Sequence, residues 1–254
     1  MKQIPNLFTL LNLVFGCLAI IATLQNGIII VTTPEGNQLL DMPERIWQAS
    51  LFIGLAAVID FVDGFVARLF RSTSELGKQL DSLADLVSFG VAPGLIIYQF
   101  LRLSVAKEQD GLDASIVWLL PALILPCAAA WRLATFNLDT SQSFSFRGLP
   151  TPAAGMFVGS LPLIFWNVNQ EWTKDLLVNK WFLYALVAFI SYLMVSRIPL
   201  MSLKFKEYSF KNNLPKYILA IVSVVAIIVF TWMAVPVIVL AYVLLSLLFK
   251  NKTV

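Results

Sequence analysis

Histidine is missing from this chain altogether. That excludes every imidazole-based device: His-ligated zinc, a Ser-His-Asp relay, a histidine general base. Cysteine is almost missing too. Cys17 and Cys127 stand alone within apolar segments, which excludes a disulfide framework and Cys-rich metal sites, and both are expected to be small core residues. Charge is scarce at 13% of residues, and the net charge is only +3, with no long basic run. A nucleic-acid partner is therefore not expected. What remains to do chemistry is carboxylate, hydroxyl, amide, lysine and arginine.

Long apolar runs are what the sequence has in abundance. Hydrophobic residues make up 59% of 254, and mean hydropathy is +0.81. A water-soluble fold has roughly half apolar and a quarter charged residues, so lipid must cover the excess here. The expected fold is all-α: a polytopic membrane protein of about eight transmembrane helices. They are predicted at Leu7–Leu24, Ile46–Phe70, Leu80–Leu101, Ser115–Asn137, Pro152–Asn167, Trp181–Val195, Pro215–Met233 and Val235–Phe249, each near the length that spans a bilayer. The first run lacks a distinct cleavage site and reads as a spanning helix rather than a leader. The connections near 25–45, 102–114 and 168–180 read as solvated loops. Residues 1–254 read as a single membrane domain without internal repeats.

Basic residues orient the bundle. Twelve of the eighteen fall on the side that holds the N-terminus, among them Arg68, Arg71, Lys78, Arg147, Arg197 and the lysines from Lys204 to Lys216. Five fall on the other side, and Arg132 lies within the fourth helix. Both termini are therefore expected in the cytoplasm, in the inner (cytoplasmic) membrane. Trp47, Trp118, Trp166, Trp172 and Trp181 sit near helix ends as interfacial anchors.

Four acids break the apolar pattern. The second helix ends Asp60-Phe61-Val62-Asp63-Gly64-Phe65-Val66-Ala67-Arg68, and the third begins Gly77-Lys78-Gln79-Leu80-Asp81-Ser82-Leu83-Ala84-Asp85. Spacings of three and four put each pair on one helical face, and the short connection makes the two helices antiparallel neighbours. An Asp at mid-membrane costs about 2.5–3.5 kcal/mol, and four together repel one another. A bound cation relieves both costs. Carboxylates without His or Cys select hard ions, Mg²⁺ or Mn²⁺, and four can hold two ions about 4 Å apart. Two other readings are weighed against this: an acid cluster neutralised by Arg68, Arg71 and Lys78, and a divalent-cation pathway. The apolar outer halves of both helices, Leu51 to Ile59 and Leu95 to Phe100, speak against a pathway.

The eight residues Asp60, Asp63, Gly64, Ala67, Arg68, Gly77, Asp81 and Asp85, at these spacings over 26 positions, resemble the signature of the CDP-alcohol phosphotransferases. Further segments resemble the membrane-spanning phosphatidylserine synthases within that family: Ile4 to Asn12, Leu86 to Pro93, Trp131 to Asn137, Phe146 to Pro152 and Leu193 to Ser196. One departure is Thr135, where the resemblance leads to Arg. The resemblance implies a six-helix core over 1–206, with residues 207–254 as an additional C-terminal helical pair completing the scaffold. It implies transfer of a phosphatidyl group from CDP-diacylglycerol to L-serine, with two divalent cations and, as in relatives, a homodimer; glycerol 3-phosphate or inositol phosphate is the alternative acceptor.

By the same resemblance Asp60, Asp63, Asp81 and Asp85 hold the metals, and Asp85 is the general base. Gly64, Ala67 and Gly77 line the CDP-lipid site, with Arg68 on phosphate. Thr9 and Asn12 either bind that ligand or form interhelical hydrogen bonds. Ser88, Arg132, Asn137, Arg147 and Arg197 are candidates for the acceptor or a phosphate. For the arginines the alternative is snorkelling to the interface. Pro93 is expected to kink the third helix just past the site.

Overall fold

The computed structural model describes residues 4–32, 34, 36, 38–69, 74–108, 115–138, 146–201 and 213–249. They form a helical bundle. Helix α1 (Ile4–Gln25) is followed by a small antiparallel hairpin, β1 (Ile29–Thr32) and β2 (Gln38–Asp41). Next come α2 (Trp47–Leu69), α3 (Glu75–Leu86) and α4 (Ala92–Ala106), the last two joined by a π-helical stretch at Val87–Val91. Two short 3₁₀ turns lead into α5 (Ile124–Leu138). The two-residue strand β3 (Phe146–Arg147) precedes α6 (Thr151–Gly159) and α7 (Leu161–Asn167). Then come α8 (Glu171–Leu177), α9 (Lys180–Val195), the strand β4 (Pro199–Leu200), α10 (Leu214–Phe230) and α11 (Ala234–Leu248).

Among the described residues, four stretches are long and apolar enough to cross a membrane: Asn6–Gln25, Glu44–Val66, Glu75–Ala106 and Leu214–Leu248. The pair α8 and α9, bent by 68°, makes a fifth if it forms one span. Within Leu214–Leu248 the backbone breaks at Thr231 (φ 44°), and α10 packs back on α11. The surface agrees with a lipid environment, since Ile221, Val224, Val225, Ile227, Ile228 and Val229 on α10 are all exposed. Such a continuous apolar face is stable only against another apolar phase.

The rod formed by α3, the π stretch and α4 runs through the centre. Phe89, Ala92, Ile96, Ile97, Phe100 and Leu101 on it are fully buried. Helix α1 lies along α2, and small side chains of the two helices, Ala19, Ala22, Ala49 and Ala56, are buried in the bundle. In lipid, where apolar side chains gain nothing by leaving solvent, close backbone approach of this kind carries helix association.

Several expectations shift. Cys17 and Cys127 are exposed on the bundle surface rather than in the core. A thiol is apolar enough to face lipid, so an apolar segment alone does not mean burial. The loops expected near 25–45 and 168–180 contain the β1–β2 hairpin and α8. At Pro93, where a kink was expected, the chain stays helical from Glu75 to Ala106, and its departure from α-helical geometry is the π stretch just before the proline.

Candidate active site

Asp60 and Asp63 lie near the C-terminal end of α2, and Asp81 and Asp85 on α3 face them. One carboxylate oxygen from each of Asp60, Asp81 and Asp85 lies within 4.8 Å of the others. Asp63 is turned towards α1, where the Thr9 hydroxyl donates to its Oδ2. It stays close enough to act electrostatically on the other three. The spacing argument therefore holds at the level of side chains, with Asp63 set slightly apart.

Helix α1 holds this arrangement from one flank. Asn12 Nδ2 donates to Asp85 Oδ1 at 3.1 Å, and the Ser88 hydroxyl donates to the Asn12 carbonyl at 3.0 Å. Thr9, Asn12 and Ser88 are all buried. Of the two alternatives for Thr9 and Asn12, interhelical hydrogen bonds are formed, and they end on the acids themselves. Gly16, one turn further along α1, makes the close approach possible. A Cβ there would run into the Ser88 hydroxyl and come within 2.8 Å of the Ser88 Cα.

The donor set fits a hard divalent cation. Among the described residues no lysine or arginine is within ion-pair distance of these acids. Lys78 instead donates from Nζ to the Asn137 carbonyl at 2.8 Å. Asn12 Oδ1 is fully buried beside Asp85 and has no hydrogen-bond partner among the described residues. Clustered oxygens without a nearby ammonium or guanidinium are what Mg²⁺ or Mn²⁺ demands. Thr9→Val removes one hydrogen bond to a carboxylate, worth about 1.5–3 kcal/mol. It is expected to raise the Mn²⁺ concentration needed for half-maximal activity about tenfold, read from metal titration of the purified variant. An unchanged titration would show that Thr9 does not support the acids.

The remaining candidates divide. Gly64 is half-buried, and among the described residues no atom outside its own stretch of helix lies within 4 Å of where its Cβ would sit. Gly77 opens α3 beneath its N-cap, Ser74, whose hydroxyl accepts from the Gly77 amide at 3.0 Å. Ala67 and Arg68 close α2, and their side chains lie outside the described residues, as does that of Arg147. Arg197 is exposed past the end of α9. Asn137 ties α5 to α3 through Ser82, donating from Nδ2 at 2.8 Å.

Arg132 is different. It is only 8% exposed, donates from a terminal nitrogen to Thr151 Oγ1 at 3.3 Å, and its Nε is buried without a hydrogen-bond partner among the described residues. Its guanidinium is thus buried against the first residue of α6. Thr151, Gly16 and Tyr242 escaped sequence reasoning. Thr151 stood inside a recognised segment, whereas Gly16 and Tyr242 are single residues in apolar helices and carry no signal of their own.

The backbone on the Arg132 side is held unusually tightly. β3 pairs antiparallel with β4, Phe146 opposite Leu200 and Arg147 opposite Pro199. The Gly148 amide donates to the Ile198 carbonyl at 2.9 Å, and the Leu149 amide to the Leu193 carbonyl at 2.8 Å.

A model of the CDP-alcohol phosphatidyltransferase family matches residues 2–193. The CDP-diacylglycerol–serine O-phosphatidyltransferase of Bacillus subtilis is 32% identical over 212 residues, covering 84% of this chain and 96% of that protein. The enzyme of the same name from Mycobacterium leprae is 34% identical over 159 residues, 60% of this chain and 48% of the relative. That from Saccharomyces cerevisiae is 40% identical over 119 residues, 43% and 39%. The chain thus spans nearly all of the first relative and half or less of the other two.

Proposed function

The chain belongs to the CDP-alcohol phosphatidyltransferase family, and we propose that it transfers the phosphatidyl group of CDP-diacylglycerol to L-serine, giving phosphatidylserine and CMP. The observation that carries the chemistry is the convergence of Asp60, Asp81 and Asp85 within 4.8 Å. The choice of serine rests on relatives that bear that activity in their names, one of them aligned over almost its full length.

Two divalent cations, Mg²⁺ or Mn²⁺, held by Asp60, Asp63, Asp81 and Asp85, would neutralise charge on the pyrophosphate. The chain's own groups then have distinct tasks. Asn12 holds Asp85 Oδ1, so Oδ2 is the oxygen left to take the proton of the serine hydroxyl. The freed serine oxygen forms a bond to the phosphatidyl phosphorus as the phosphorus–oxygen bond to CMP breaks, and CMP departs with the electron pair. Gly64, Ala67 and Gly77 would line the CDP-lipid site, with Arg68 on phosphate. Arg132, buried with donor capacity to spare, receives the serine carboxylate. Arg147 and Arg197 are further candidates for phosphate.

The same reading takes the helical segments as eight spans: α1, α2, the α3–α4 rod, residues 116–138, α6 with α7, α9, α10 and α11. Residues 1–206 would be the catalytic core within one membrane domain, with 207–254 as the added pair. Both termini and the acids would face the cytoplasm of the inner membrane, where serine and CDP-lipid headgroups meet, and the protein would work as a homodimer. Fully buried Phe89, Ile96, Ile97 and Phe100 fill the depth of the bundle beyond Asp85, which favours chemistry over cation conduction.

The decisive assay gives purified protein CDP-diacylglycerol, Mn²⁺ or Mg²⁺ and one alcohol at a time, and measures CMP. Release with serine is expected. Release with glycerol 3-phosphate or inositol phosphate instead would move the acceptor. No release with any alcohol, together with cation flux into liposomes, would overturn the reading.

A further inference from the structure

Helix α11 begins some forty residues beyond the end of the family match at 193. It carries no recognised motif and was expected only to complete the scaffold. Two of its side chains nevertheless grip a single residue just past β4. Tyr242 donates from its hydroxyl to the Met201 carbonyl at 2.9 Å, and the Met201 amide donates to Ser246 Oγ at 3.1 Å. Ser246 in turn donates to the Tyr242 carbonyl at 2.7 Å, which sets its orientation. All three residues are buried. Both backbone groups of Met201 are thus satisfied by one helix face, the i and i+4 positions of α11.

Met201 directly succeeds β4, and β4 is the strand that pairs with β3. Past β3 the chain turns at Gly148 and reaches Thr151, which receives Arg132. A continuous series of bonds therefore runs from α11 through Met201 and the β3–β4 pair to Thr151 and Arg132.

We propose that Tyr242 and Ser246 of α11 are positioning residues for the acceptor half of the active site, clamping Met201 so that the 146–151 segment and Arg132 are held where the amino-acid acceptor binds. This rests on the proposed acceptor role of Arg132. The C-terminal pair is then part of the enzyme's acceptor specificity, while the CDP-lipid half, built on α1 to α3, does not depend on it.

The test uses the full-length protein in lipid nanodiscs with Tyr242→Phe, Ser246→Ala and Ser246→Thr. The first readout is hydrogen exchange at the Gly148 and Leu149 amides, which needs no activity. In Tyr242→Phe and Ser246→Ala it is expected to rise about fivefold, the effect of one neutral hydrogen bond, while α1 and α3 amides stay unchanged. Ser246→Thr, which keeps the hydroxyl, is expected to restore protection. The second readout is kinetic: KM for serine rising about fivefold on the same reasoning, with kcat and KM for CDP-diacylglycerol within about twofold. Unchanged exchange at 148–149, or faster exchange throughout the bundle, would overturn the clamp. So would an unchanged serine KM in a protein that uses serine, or equal shifts in both KM values. If the wild type does not use serine at all, the acceptor reading falls, and the exchange pattern still decides whether α11 clamps the segment.

Discussion

Asp85→Asn is expected to lower serine-dependent CMP release by on the order of a thousandfold, while CDP-diacylglycerol still binds at saturating Mn²⁺. The side chain keeps its shape and can still accept from Asn12, which donates to Asp85 Oδ1 at 3.1 Å in the wild type. What it loses is an oxygen able to take the serine proton. Asp85 is only 7% exposed, so bulk water is poorly placed to substitute. Asp60→Asn is the instructive partner. It is expected to weaken binding of the metal-bound CDP-lipid itself, so that activity and binding fall together. The pair separates proton transfer from substrate capture. An Asp85→Asn enzyme within about tenfold of wild type would remove Asp85 as the base, since removal of a general base costs about a hundredfold or more.

Gly148→Ala is expected to destabilise the protein by about 3 kcal/mol and to reduce turnover more than the stability loss explains. Two costs combine. Gly148 has φ +77°, a conformation that L side chains rarely adopt. A Cβ there would also lie 2.5 Å from the Met194 carbonyl oxygen and 2.7 Å from that of Ser196, both main-chain atoms that cannot swing aside. Gly36 separates the two, because it has φ +85° with nothing among the described residues within 4 Å of its Cβ position. Gly36→Ala should show the conformational cost alone, about 1–2 kcal/mol. The comparison is made by thermal unfolding in detergent, with CMP release measured in parallel. Equal losses in the two variants would mean that the tight approach of the 148 turn to the end of α9 contributes nothing.

The acids were legible in the sequence because they are expensive there. An aspartate in an apolar helix has to be explained, and spacings of three and four leave one geometry. Helix existence was legible for the same reason, since Leu7–Leu24 and Trp181–Val195 differ from α1 and α9 by a few residues at most. The support of the site was not legible. The β3–β4 pair is made of main-chain bonds, to which side-chain patterns are blind. Tyr242 and Ser246 look like ordinary polar residues of an apolar helix until Met201 is seen between them. Asn12 and Ser88 were singled out as ligand candidates, yet their link to each other passes through a carbonyl that no motif records. The exposed cysteines mark another limit: in lipid, polarity does not separate the inside of a bundle from its outside.

The π-helical stretch from Val87 to Val91 has a last consequence. Such a stretch accommodates one residue more than an α-helix needs over the same rise. It acts as a phase shifter, turning α3 by about 100° against α4 relative to an unbroken helix. Upstream lie Asp81 and Asp85; downstream lie Ile96, Ile97 and Phe100, fully buried in the core. Deleting a single residue there would restore an unbroken α-helix and force a choice. Either the acids rotate away from Asp60, or the downstream face rotates out of the bundle. The length of this short run is thus as restrained as its buried residues, Ser88 and Phe89. A frame-preserving deletion there would unseat either the chemistry or the core.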